Sequence, residues 1–103
     1  YARFGQMVLD GGAGIVPEDW IEASRIGVHG PHFSTSMPEA SYRNQFWIED
    51  PRSRNLQCRG VFGQLIHVNF AARIVTVKLS SWPDFVSERF SVATLRAVHA
   101  IAE

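Results

Sequence analysis

Two glycines three residues apart stand in the stretch Cys58-Arg59-Gly60-Val61-Phe62-Gly63-Gln64, between apolar runs. Glycine permits positive φ and close approach of another group, so such a turn can offer bare N–H donors to a carbonyl oxygen. The plainer alternative is a β-turn or bulge with no further role. Other reactive side chains are scattered. Cys58 is the single cysteine, and His67 and His99 are candidate bases for it, yet nothing in the sequence brings either within hydrogen-bond reach. A buried structural thiol is the better reading. His29 and His32 lie three apart in a polar loop without a cysteine or a carboxylate pair at ligand spacing, so solvated histidines are expected there and no metal site. A Ser-x-x-Lys pair is absent: Ser24 is followed three residues later by Gly27, and the lone lysine, Lys78, is preceded three residues earlier by Val75. Ser80 and Ser81 have no partner base in sequence reach. No complete nucleophilic constellation is present.

The elements that would position the turn follow from periodicity. Phe4, Met7 and Val8 at helical spacing, closed by Asp10-Gly11-Gly12, predict a helix over about 1–10. Pro17 suits a helix start, and Glu18 and Asp19 complement the dipole, so a second helix is expected over about 17–25. Glycine, proline and serine then mark a loop over 26–41. Aromatic and β-branched residues predict a strand over about 42–49, with Asp50-Pro51-Arg52-Ser53 turning the chain. Further strands are expected over about 55–58, 64–70 and 74–79. Alternation sets Leu65, His67 and Asn69 on one face and Ile66, Val68 and Phe70 on the other. The short connections imply antiparallel neighbours. Val92, Leu95, Val98 and Ile101 form an apolar stripe on a closing helix over about 88–101, with His99 at its boundary. The fold class is therefore α+β, an antiparallel sheet of about four strands with two N-terminal helices and a C-terminal helix packed on it.

Composition narrows the function classes. Ten basic and ten acidic side chains give zero net charge, without the basic excess that displaces counterions from phosphates, so no nucleic-acid partner is expected. Hydrophobic residues make up 46% of the 103 residues, which indicates a folded chain, and no apolar run is long enough to span a bilayer. One cysteine cannot build an internal disulfide, so no disulfide framework defines the compartment, which stays unknown with a slight lean to the cytoplasm. No cofactor is expected. Tyr1 opens the chain in what reads as mid-helix, so a fragment of a longer protein is expected, with exposed apolar surface prone to self-association.

Several blocks together resemble one family. Ala2-Arg3-Phe4-Gly5 with Leu9-Asp10-Gly11-Gly12, then Ile15-Val16-Pro17-Glu18-Asp19-Trp20, is similar to a passage of the serine β-lactamase-like hydrolases. That group includes class C β-lactamases, family VIII esterases, D-alanyl-D-alanine peptidases and 6-aminohexanoate-dimer hydrolases. Tyr42-Arg43-Asn44-Gln45-Phe46-Trp47-Ile48 resembles an aromatic strand of the group. Gly60-Val61-Phe62-Gly63-Gln64 and Val77-Lys78-Leu79-Ser80-Ser81-Trp82-Pro83 look most like the 6-aminohexanoate-dimer hydrolases. The resemblance covers about residues 1–25 and 42–83, and it implies the C-terminal portion of a β-lactamase/transpeptidase-like fold. It also implies a serine in an S-x-x-K motif that attacks a small-molecule amide or ester, with lysine and tyrosine managing the proton. Those residues would lie upstream, so this chain alone is expected to be inactive. Cys58-Arg59-Gly60 matches the family's K-T-G-like triplet, which would make the Val61 backbone N–H an oxyanion-hole donor. Cys58, Arg59, Gly60, Phe62, Gly63 and Gln64 would then border the substrate. Cys58 departs from the triplet's usual cation, which favours a linear amidase or esterase over a β-lactamase. Alternation sends Arg59 to the opposite face. The competing reading is a non-catalytic α+β domain that binds a ligand or protein partner.

Overall fold

A computed structural model describes residues 1–27 and 37–103. His29, His32 and most of the expected 26–41 loop lie outside the described residues. Helices α1 (Ala2–Leu9) and α2 (Glu18–Ile26) precede five strands, β1 (Ser41–Arg43), β2 (Phe46–Ile48), β3 (Leu56–Gly60), β4 (Gln64–Asn69) and β5 (Ile74–Lys78), and helix α3 (Glu88–Ile101) closes the chain. The strands form one sheet in the order β1-β2-β3-β4-β5, and each pairs antiparallel with its sequence neighbour.

The expected single strand over 42–49 is two strands. Asn44 (φ 52°) and Gln45 (φ 75°) both adopt left-handed backbone, and Arg43 faces Phe46 across a two-residue hairpin turn. Two consecutive positive φ values match the right-handed twist of hairpin strands. Asn44 suits this conformation; Gln45 stands where glycine is preferred, which hid the turn. Asn44 Nδ2 also donates to Ser24 Oγ at 2.9 Å, fixing the turn to α2.

Strand alternation builds two different faces. Phe46, Ile48, Leu56 and Val68 meet Val8 and Leu9 of α1 and Ile21 of α2 in one buried apolar cluster. Gly5 lets α1 settle on β5, since a Cβ there would collide with Val75 Cγ1. On the other face Leu65 packs with Leu95 and Val98 of α3, joined by Met37 and Ala40 and bordered by Trp47. The α3 stripe is Ser91, Leu95 and Val98, whereas Ile101, expected in it, is 58% exposed. Ser87 caps α3, its side chain accepting from Phe90 N–H.

Candidate functional site

The β3–β4 ladder ends at the Gly60–Gln64 pair, and Val61–Gly63 between them makes a single 3-10 turn. Within it Phe62 takes a left-handed conformation (φ 60°, ψ 22°) that costs a residue bearing a Cβ about 1–2 kcal/mol. Its neighbours hold it there: Phe62 N–H donates to Phe85 C=O at 2.9 Å, and Phe62 C=O accepts from Trp82 N–H at 3.2 Å. Gly63 (φ 89°) lies under the Trp82 indole, which a Cβ would strike. Among the described residues, no turn or loop hydrogen bond takes up the Val61 N–H. Val61 itself is 58% exposed.

The end of β5 and the chain that follows it brace this turn. Lys78 Nζ donates to Gly63 C=O (2.7 Å) and to Ser80 Oγ (2.8 Å), and it lies 4.7 Å from the Trp82 ring centroid. Ser80, with no partner in sequence reach, thus has Lys78 beside it in the fold, as a donor to its hydroxyl oxygen. Yet the Ser80 hydroxyl also meets Gly63 C=O at 2.7 Å, so its proton is directed at a carbonyl and the pair serves as a brace. Gln64 completes it, with Nε2 donating to Ser80 C=O at 2.6 Å and Oε1 accepting from Ser80 N–H at 3.0 Å. Lys78, Ser80, Trp82 and Phe85 are the residues that sequence reasoning missed here. The lone lysine two residues before a serine was their one available signal.

The remaining expected site residues divide between the faces. Cys58 is half-buried against the α1-side cluster, and burial pushes its thiol pKa up. His67 pairs with Gln57 in the ladder and so lies on the opposite face, which separates it from Cys58. Arg59 points toward α3, where Nη2 donates to Ser91 Oγ at 3.1 Å and the guanidinium sits 5.9 Å from the Trp47 ring centroid. Burial lowers the Arg59 pKa. A cavity of about 350 Å³ opens on this side, between the turn and α3, bordered by Arg59, Gly60, Val61, Trp82, Phe85 and Ser91. The turn thus brings Val61 and Gly63 to one cavity, while Cys58 borders a second hollow with Tyr1 and Leu79; Arg59, Gly60 and Gln64 border both.

A second cluster lies on the α3 face. Glu49, just past β2, is 7% exposed, and its Oε1 lies 2.6 Å from His99 Nε2 and 3.5 Å from His67 Nε2. Gln57 Nε2 donates to Oε1 at 3.1 Å and Asn55 Nδ2 to Oε2 at 3.2 Å. Burial alone would raise the Glu49 pKa; the hydrogen-bonded contact with His99 and the nearness of the His67 ring outweigh it and hold the carboxyl at about 2. His99 is therefore more than a boundary residue of α3.

No family model matches the chain. It is 36% identical over 92 residues to the 6-aminohexanoate-dimer hydrolase of Paenarthrobacter ureafaciens, a match covering 81% of this chain and 24% of that relative. A solved structure from Bacillus anthracis assigned as a 6-aminohexanoate-dimer hydrolase is 28% identical, with a TM-score of 0.74 over 98% of this chain and 27% of that one. The chain spans about a quarter of the length of each.

Proposed function

We propose that this chain, related in sequence and fold to the 6-aminohexanoate-dimer hydrolases of the serine β-lactamase-like group, forms one wall of an acyl-hydrolase site. In this reading the Val61 N–H is an oxyanion-hole donor, and the serine, lysine and tyrosine of the reaction come from residues outside the chain. The observation that carries it is the position of that N–H, at the end of a ladder, beside a cavity, on a turn whose Phe62 N–H and C=O and Gly63 C=O are engaged. A donor fixed before the reaction needs no reorganisation as the carbonyl oxygen becomes negative, and one such donor is worth about 3–4 kcal/mol at the transition state. Gly63 supports the geometry by admitting Trp82, and Lys78, Ser80 and Gln64 hold the loop still. Val61, Trp82, Phe85 and Val86 give the cavity an apolar border suited to the methylene chain of a linear amide or ester. Arg59 is a cavity cation engaged with Ser91 and Trp47, and Cys58 lies on the other face, which supports a substrate without a β-lactam's carboxylate at the triplet.

The test is Val61→Pro in the full-length protein. Gly60 is extended (φ −117°, ψ 162°), the conformation that proline imposes on its predecessor, and Val61 opens the 3-10 turn where no N–H partner is required. The variant should therefore fold. Acylation by nitrophenyl esters and linear amides is expected to fall about 100- to 1,000-fold. Unchanged acylation in a folded variant rejects the assignment. Turnover by these 103 residues alone would place the nucleophile within them.

A further inference from the structure

We propose that Glu49, His67 and His99 bind a divalent transition-metal ion of the zinc class. One oxygen or nitrogen from each residue lies within 4.8 Å of the others. Two imidazoles and a carboxylate are a donor set that zinc accepts, with water completing a tetrahedron. His67 is 1% exposed, and its Nε2 has no hydrogen-bond partner among the described residues although it faces the Glu49 carboxylate at 3.5 Å. A buried ring nitrogen left unpartnered is costly, and a cation is the species that would satisfy it together with a carboxylate.

The surroundings suit a bound ion. Metal–ligand bonds of about 2.0–2.2 Å in a tetrahedron separate donors by roughly 3.3–3.5 Å. The His67–Glu49 pair already has that spacing, and His99 at 2.6 Å from Glu49 would withdraw by less than about 1 Å. His99 is half-exposed on the last turn of α3, so it can make that shift and leaves a path for the ion and its water. Asn55 and Gln57 hold the carboxylate from behind, the orienting role that outer partners play at metal sites. The three donors come from the end of β2, the middle of β4 and α3, so the ion would pin the helix to the sheet. This inference does not depend on the acyl-hydrolase reading.

The experiment uses tag-free full-length protein, stripped with chelator and titrated with Zn²⁺, with bound metal counted after dialysis. A parallel Co²⁺ titration reads the d–d absorption of a tetrahedral ion. The expected result is a site whose occupancy raises the unfolding temperature and whose affinity falls at least about tenfold in His67→Gln and in His99→Gln. His99 is partly solvated, so its variant should fold even where the His67 variant does not. A His29→Gln/His32→Gln double variant should bind as the parent does. Absence of Zn²⁺ binding, or binding undiminished in folded His99→Gln, overturns the proposal, as does binding lost in the double variant.

Discussion

The two faces of the sheet are built for different purposes. Toward α1 and α2 the strands present Phe46, Ile48, Leu56 and Val68, all apolar, and they pack in one apolar cluster with Val8, Leu9 and Ile21. Toward α3 the same strands present Trp47, Gln57, Arg59 and His67, with Glu49 and Ser91 also buried. Apolar burial stabilises without regard to direction, whereas buried polar groups must each find a partner with correct geometry. The α1–α2 face therefore stabilises chiefly through apolar contacts, whereas the α3 face divides its area between an apolar cluster and polar groups that need specific partners. The difference teaches where chemistry is tolerated: beside a core that does not need that face to be dry.

Truncation is the strongest way to break this comparison. Leu56 is fully buried on the apolar face, and Leu56→Ala is expected to cost about 3–5 kcal/mol in urea unfolding; Leu95→Ala, on the sheet-facing side of α3, should cost about 2 kcal/mol. Equal costs would mean that the two faces contribute alike. A smaller effect is expected at the turn. Gly63→Ala must hold a left-handed φ and displace Trp82, and it should cost about 2 kcal/mol while lowering hydrolysis by more than that loss of stability explains. Full activity in a folded Gly63→Ala protein would show that the turn has no exacting geometry. The smallest effect is at Cys58. Burial raises its thiol pKa, so the folded state keeps the proton longer than the unfolded one, and the stability tied to the protonated thiol is lost as pH rises from the ordinary value through the raised one. Iodoacetamide should modify Cys58 more slowly than free cysteine at mildly alkaline pH, with the rate rising at higher pH than for the free thiol. Faster modification would place the thiol in an activating environment and reopen it as a nucleophile.

Much of the scaffold is legible from period alone. The alternation at 64–70 and 74–79 finds β4 and β5 within a residue, and the closing helix runs over Glu88–Ile101, with Leu95 and Val98 of the expected stripe buried and Ile101 exposed. The hairpin at Asn44-Gln45 is illegible because an aromatic-rich run continues through it without glycine. The triplet's turn is visible through Gly60 and Gly63, but its brace is not. Lys78, Ser80 and Trp82 act on Gly63 across space, through a contact that no local pattern encodes. The Glu49–His67–His99 cluster is hidden for the same reason, since its members belong to three elements that only the folded sheet brings together.

The strand order has a consequence for how the molecule forms. Every strand pairs with its immediate successor, so each hairpin closes a short loop and no pairing waits for a distant segment. The meander can zip from any of its turns, and such local pairing favours rapid assembly. Helix α3 reaches back to Glu49 from the far end of the chain, and that closure pays a larger loop entropy. The sheet is thus poised to form first, with the Glu49–His67–His99 cluster among the last contacts made and the first released on unfolding.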